Sequence, residues 1–279
     1  MSVSEAIPEK GLSRFLYEMR EGGRKQANVV FALLFRDIRG RSKEDDYGLL
    51  SLIGIALEPA AFVLGFSILY YLIRREEILG IPTFLYMGVS LTSFWIIRRS
   101  LTSIPRAMRT ARAFYSYPNV KPIDAVLARY ILEMSLTIIG GFLVFLFLWW
   151  FMGLTISNQY LLHALGIYVM LLLTGLGLSL LVATVSMRVP LIAKAAPLFT
   201  AFLFITSSVI HPSAELPAKA QYYVAFNPLA HAMELLRFYT LHMECFPEVS
   251  FKFFAFFCLS SLFMGFITYY ANRSKVLER

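Results

Sequence analysis

His231, Glu234 and Arg237 recur every third residue, a spacing that on a helix sets an imidazole, a carboxylate and a guanidinium along one face. With His242 nearby, such a set suggests metal ligation or proton transfer. The spacing matches no zinc signature, however, and a Glu–Arg pair three residues apart is ordinarily structural. No phosphate-cradling glycine loop, nucleophile elbow or paired-carboxylate motif occurs anywhere in the chain. The chain is therefore expected to hold no catalytic or metal site and to lack ATP-hydrolysing machinery of its own.

Two other polar features interrupt long apolar runs. Glu58 and Pro59 fall inside the first of them. A carboxylate at membrane depth is expensive, and the proline frees a backbone carbonyl and kinks its helix. Glu58 then either faces a cavity or pairs with a nearby arginine. Between Tyr117 and Asp124 the chain reads Tyr-Pro-Asn-Val-Lys-Pro-Ile-Asp. Each proline fixes φ near −65° and lacks an N–H donor, so this elbow ends one helix, turns stiffly and launches the next.

Composition sets the class of elements that must carry these residues. Of 279 residues, 58% are apolar and 16% charged, with a mean hydropathy of +0.63, too apolar for a soluble domain of this length. An all-α, polytopic membrane protein is expected. Six stretches approach the ~17 to 25 residues that a helix needs to cross a bilayer: Leu49 to Ile73, Ile78 to Ile97, Tyr130 to Met152, Leu161 to Val185, Val189 to Ile210 and Phe251 to Ala271. This divides the chain into a cytoplasmic N-terminal segment (1–48), a six-span domain (49–271) and a cytoplasmic tail (272–279). The first 48 residues hold no uninterrupted apolar core, so no cleaved signal is expected there.

Charge distribution orients these spans. Residues 1–48, the connection from Arg98 to Arg129, the turn with Arg188 and Lys194, and the tail together carry 21 of the 26 lysines and arginines. The opposite side receives Arg74, Arg75, Lys219, Arg237 and Lys252. The positive-inside rule then puts both termini and the elbow in the cytoplasm. The net charge of +8 is thus a topological signal and not one for nucleic acid, since no soluble segment interleaves basic and aromatic residues. Cys245 and Cys258 are too few for a disulfide scaffold.

Ala27, Val30, Phe31, Leu34, Phe35 and Ile38 form one helical stripe. The helix that carries them either lies in the cytoplasmic interface or packs on its neighbours. Gly175, Gly177, Ser179 and Ala183 give the fourth span small-residue spacings suited to close helix packing. From His211 to Leu241, Pro212, Pro217 and Pro228 cut a moderately apolar stretch into pieces too short to span, which reads as interfacial or re-entrant half-helices. Asn227 before Pro228 is a good N-cap and first-turn pair, so one short helix begins there. Most of the aromatics within the spans, such as Phe62, Phe66, Phe94 and Phe202, are expected to face lipid or core.

Taken together, the N-terminal amphipathic segment, Leu57-Glu58-Pro59, Val120-Lys121-Pro122-Ile123-Asp124, and Asn227-Pro228-Leu229 with His231 and Glu234 resemble the membrane subunit of bacterial capsular polysaccharide ABC exporters, a family of type-2 ABC exporter permeases. The similarity covers nearly the whole chain, leaving out the stretch through Gln26. It implies an inner-membrane permease, present as a second copy alongside two separate ATP-binding subunits that hold the ATP and Mg. A polysaccharide or glycolipid, capsular or another lipid-linked glycan such as O-antigen or teichoic acid, would be the substrate; because capsular polymers are often acidic, Lys219 and Arg237 near the exit would help such an anionic chain pass, with a minority of the aromatics packing on its sugar rings. Periplasmic and outer-membrane export proteins are further expected partners. Tyr117, Pro118, Lys121, Pro122 and Asp124 would couple ATPase motion to the helices. Pro217, Asn227, Pro228, His231, Glu234 and Arg237 would lie at a periplasmic gate. A membrane-embedded enzyme acting on lipid-linked sugars is the reading from another class, and it would need more inward-facing acids or histidines than Glu58 and Glu133 supply.

Overall fold

The computed structural model describes residues 12–44, 49–73, 76–156 and 159–277. The rest of the expected N-terminal segment, the topological charges Arg74 and Arg75, and the end of the tail lie outside the described residues. Helix α1 (Leu12–Glu44) is followed by α2 (Leu49–Leu72), a two-residue hairpin of β1 (Glu77–Ile78) and β2 (Ile81–Pro82), and α3 (Thr83–Thr102). Short turns, including α4 (Ala107–Thr110), lead to α5 (Pro122–Met152), then α6 (Leu161–Arg188) and α7 (Pro190–Thr206). The chain closes with α8 (Ala218–Val224), α9 (Pro228–Leu241) and α10 (Phe251–Leu277).

The fold is thus almost entirely helical. Among the described residues, Leu52–Leu72, Pro122–Met152, Leu161–Arg188 and Phe251–Arg273 are long and apolar enough to cross a membrane, while Pro190–Thr206 is a shorter apolar helix. The second expected span is displaced. Ile78 pairs with Ile81 in the hairpin, with Leu79 and Gly80 at φ 50° and 78°, so the helix starts at Thr83. It then runs past Arg98 and Arg99, because both side chains find carboxylates. The fifth expected span is shorter than predicted and stops at Thr206.

Helix α3 is the core. Every residue from Leu85 to Ile97 is buried, and α2, α5, α6, α7 and α9 pack around it. Outward-facing side chains such as Phe142, Leu162, Leu198 and Phe256 are apolar and exposed, as a bilayer requires of a surface that meets lipid. On α1, the protein-facing side is set by Leu33, with Val29, Val30 and Leu34 packed beside it against Ala111, Ala125 and Ala128. The expected stripe therefore divides. Val30 and Leu34 turn inward, while Phe31 and Phe35 remain exposed and meet edge to face at 4.7 Å.

The small residues of α6 work on two sides. Gly177 abuts the backbone of Ser261 on α10, and a Cβ built on Gly265 would lie 2.5 Å from the Gly177 carbonyl oxygen. Gly175 instead faces Ser100 of α3 and the Tyr130 hydroxyl. Gly177→Ala is expected to cost about 1–3 kcal/mol through overpacking at this crossing, read as a lowered thermal midpoint of the detergent-solubilised protein. Gly166→Ala, where no atom lies within 4 Å of the added carbon, should leave the midpoint unchanged.

Candidate functional site: an anchored elbow, an ion-pair chain and a capped half-helix

The elbow has an exposed outer edge and a buried root. Tyr117, Pro118, Asn119 and Lys121 are exposed, whereas Pro122, Ile123 and Asp124 are buried. Pro122 occupies the first turn of α5, where its missing donor costs nothing. Asp124 closes that turn: its carboxylate accepts from the Lys121 backbone N–H at 2.9 Å and from Gln26 Nε2 of α1 at 2.9 Å. Placing a carboxylate at a helix N-terminus also favours the macrodipole. The Arg36 guanidinium of α1 lies 4.6 Å above the Phe114 ring just upstream. The elbow is therefore clamped to both α1 and α5.

From this clamp a chain of charges runs into the apolar bundle. Asp37 of α1 pairs with Arg129 of α5 at 3.3 Å, and Arg129 Nε lies 3.4 Å from Glu133 one turn on. Glu133 is 0% exposed, and its other oxygen accepts from Arg99 Nη1 of α3 at 3.0 Å. Arg99 Nη2 reaches Glu58 of α2 at 2.5 Å and the Ile55 carbonyl at 2.9 Å. Arg98 adds a second, longer pair to Glu58 at 3.6 Å and stacks over Trp95 at 4.6 Å. Of the two fates open to Glu58, pairing with arginine is the one observed. The Ile55 carbonyl is the one Pro59 deprives of its helical donor, so Arg99 satisfies both consequences of the Glu-Pro dipeptide.

At the opposite end of the bundle, α9 begins where expected, with Asn227 Oδ1 accepting from the Leu229 N–H at 3.0 Å. The Asn227 amide also donates to the hydroxyls of Thr206 and Ser207, tying α9 to the end of α7. His231 Nδ1 accepts from the Ser250 N–H at 3.1 Å, which leaves Nε2–H to donate to the Ala225 carbonyl at 2.8 Å. Both ring nitrogens are thus occupied by backbone. Glu234 Oε1 accepts from Arg237 Nη2 at 2.6 Å and from the Ser213 N–H at 3.0 Å. Arg237 Nη1 donates to Ser90 Oγ of α3 and to the Ser208 carbonyl, and its guanidinium sits 4.9 Å over the Tyr86 ring. Pro217 is the residue before α8, exposed.

Residues 28–241 match the ABC-2 type transporter family. The chain belongs to that family. It is 28% identical over 260 residues to the polysialic acid transport protein KpsM of Escherichia coli, covering 92% of this chain and 98% of that protein. It is also 24% identical over 217 residues to the capsule polysaccharide export inner-membrane protein CtrC of Neisseria meningitidis serogroup B, covering 76% of this chain and 78% of the relative. Family membership makes the chain the multi-pass membrane subunit of an ABC transporter, a class in which an ATP-binding partner supplies the energy.

The sequence-identified residues thus fall into three separate places. Arg237 requires a correction: it is 0% exposed, with Nη1 and Nη2 bonded to Ser90, the Ser208 carbonyl and Glu234 while its buried Nε has no partner, so its charge does not line a path where an anionic chain could touch it. Lys219 is exposed. Arg99, Arg129 and Glu133 were missed, because Arg98 and Arg99 read as positive-inside charges just beyond an apolar run. The signal that locates them is the Glu58-Pro59 pair, which demands both a cation and a donor at one depth. Cys245, whose thiol points at the Glu234 carbonyl, is pushed up to about 11 by burial and then by the Glu234 carboxylate. Its alkylation by maleimide should be slow at neutral pH and speed up as pH rises toward that value.

Removing Arg99 alone leaves Glu133 and Glu58 without their shared cation. Arg99→Met is expected to cost about 3–5 kcal/mol, measured as loss of folded protein in detergent melts. Adding Glu58→Gln and Glu133→Gln to Arg99→Met should recover much of that loss, since no uncompensated buried charge then remains.

Proposed function

We propose that the chain is the permease half of an ATP-driven exporter that moves capsular polysaccharide, carried on a lipid anchor, across the bacterial inner membrane. The observation that carries this reading is the similarity to KpsM, which runs over nearly the full length of both chains, with a second capsule-export relative in CtrC. Two copies of the permease form the pathway, and two ATP-binding subunits hold the ATP and Mg. Helices α2, α3, α5, α6, α7 and α10 make six crossings with both termini in the cytoplasm. The exposed Phe31 and Phe35 seat α1 in the cytoplasmic interface. Export proteins of the periplasm and outer membrane receive the chain.

In this reading Tyr117, Pro118 and Lys121 present the docking edge, and Pro122 and Asp124 make that edge rigid with α5. A displacement imposed on the elbow by nucleotide binding then moves α5, and with it α2 and α3 through Arg129, Glu133, Arg99 and Glu58. At the far end, Asn227, Pro228, His231, Glu234 and Arg237, with Pro217 leading into α8, hold the half-helices as a closed gate.

Lys121→Glu should lower the ATP-binding subunit that co-purifies from native membranes by roughly tenfold, about 1.4 kcal/mol, and reduce surface glycan with it. Lys219→Glu, at the other end, should leave co-purification unchanged. Deleting the gene should leave glycan inside the cell. If surface glycan is normal after deletion and no ATPase accompanies the protein, the exporter reading is wrong. Labelling of Asn119→Cys by a membrane-impermeant maleimide on intact cells is the test of topology: reaction from outside contradicts a cytoplasmic elbow.

A further inference from the structure

At the elbow end, the turns that follow α3 and the junction of α6 with α7 enclose a recess of about 310 Å³. Arg106, Arg109 and Lys194 line it together with Thr110 and Ser186, and the rest of its wall is proline and alanine. Arg106 and Arg109 are one helical turn apart and enter from the connection after α3, while Lys194 enters from the second turn of α7. No carboxylate lines the recess, and among the described residues none of the three cations forms an ion pair. Near the end of α3, by contrast, Arg98 and Arg99 are both matched to carboxylates, Arg99 to Glu58 and Glu133 and Arg98 to Glu58. Arg109 is held in place by Nη2 donating to the Ser186 carbonyl at 3.1 Å, which leaves its other donors for another acceptor.

Three cations gathered around one hollow repel one another, and the repulsion is relieved by an anion that sits among them. Guanidinium forks bind the oxygens of a phosphoryl group two at a time, an ammonium adds a point charge, and a hydroxyl such as that of Thr110 completes the set. The apolar part of the wall suits a group attached to a lipid. A recess of this size takes a phosphodiester or diphosphate more readily than the convex surface of a protein.

We propose that this recess binds the phosphoryl group of a lipid at the cytoplasmic leaflet, either an anionic membrane lipid or the lipid that anchors the exported glycan. The inference rests on the exporter reading for its cytoplasmic placement, and where the bound lipid is the glycan's anchor it names the part of the substrate that this recess holds. Binding of the phosphoryl group bridges the connection after α3 and the start of α7, so a loaded anchor ties together two elements that flank the elbow end of the bundle.

The permease–ATPase complex, stripped of lipid in detergent, is titrated with phosphatidylglycerol, with phosphatidylcholine and with inorganic pyrophosphate, and adducts are counted by native mass spectrometry. Wild-type protein should retain phosphatidylglycerol about fivefold better than the double variant Arg106→Gln/Lys194→Gln, with Arg106→Lys, which keeps the charge and loses the fork, between the two. Both replaced side chains are exposed, so the fold is not at stake. Competition by pyrophosphate supports recognition of the phosphoryl group itself, and retention of phosphatidylglycerol without such competition supports a headgroup held together with its chains. Equal retention by wild type and double variant overturns the proposal. So does a double variant that sheds the ATPase while binding lipid normally, which would make the recess a protein-docking surface. The same titration on the permease alone keeps the two readings apart: absence of any ATPase partner counts against the exporter, and lipid retention is scored independently of it.

Discussion

One guanidinium holds three helices of this bundle in register. Arg99 leaves α3 where the apolar run ends and meets a carboxylate from α2, a carboxylate from α5 and the backbone carbonyl that Pro59 leaves open. In a low-dielectric interior a lone carboxylate such as Glu133 would be costly, and so would an unpaired carbonyl. Meeting both with one planar fork fixes the relative depth of α2, α3 and α5, because a shift by one turn of α2 breaks two of the contacts, a shift of α3 all three, and a shift of α5 the one to the fully buried Glu133. Arg129 and Asp37 extend the same logic to α1. The elbow inherits its position from this chain, through Gln26 and Asp124.

The same device recurs at three of the prolines. Arg99 caps the Ile55 carbonyl four residues before Pro59, Arg109 caps Ser186 four residues before Pro190, and Arg237 caps Ser208 four residues before Pro212. Proline cannot supply the donor that a continuing helix would, and no water is at hand inside a bilayer to replace it. Arginine is suited to the task because one head group donates to a carbonyl and a carboxylate at once. Two of the three arginines do so here, with Glu58 and Glu234 as the acids. The third, Arg109, has the carbonyl without the acid.

How far the sequence revealed this depends on whether a feature is local. The helical class, the start of α9 at Asn227 and Pro228, the launch of α5 at Pro122 and the tight packing of α6 follow from composition, caps and small residues. The register of α3 does not. Its true start depends on a hairpin that buries Ile78, and its true end on acids that lie 41 and 34 positions away from Arg99 in the chain. Hydropathy alone stops the helix at the first arginine, since it scores a charge without knowing its partner. The same blindness made Arg237 look available to a passing chain, when its partners lie on α3 and in the segment after α7.

In the proposed gate, the burial of Arg237 constrains how the far end opens. Its guanidinium and the Glu234 carboxylate sit on one helix three residues apart, so they travel together when α9 moves. What α9 would leave behind are the Ser208 carbonyl and the Ser213 N–H, both in the irregular segment between α7 and α8. If that segment stayed in place, these two backbone groups would lose their partners at once. The hydrogen bonds from Asn227 to Thr206 and Ser207 would go with them. The path that avoids these losses carries α9 and residues 206–213 as one unit and slides them against α3, where the Ser90 hydroxyl and the Tyr86 ring are the contacts to be exchanged. The end of α7 at Thr206 places a change of chain direction at the root of such a unit, next to Ser208 with its φ of 54°.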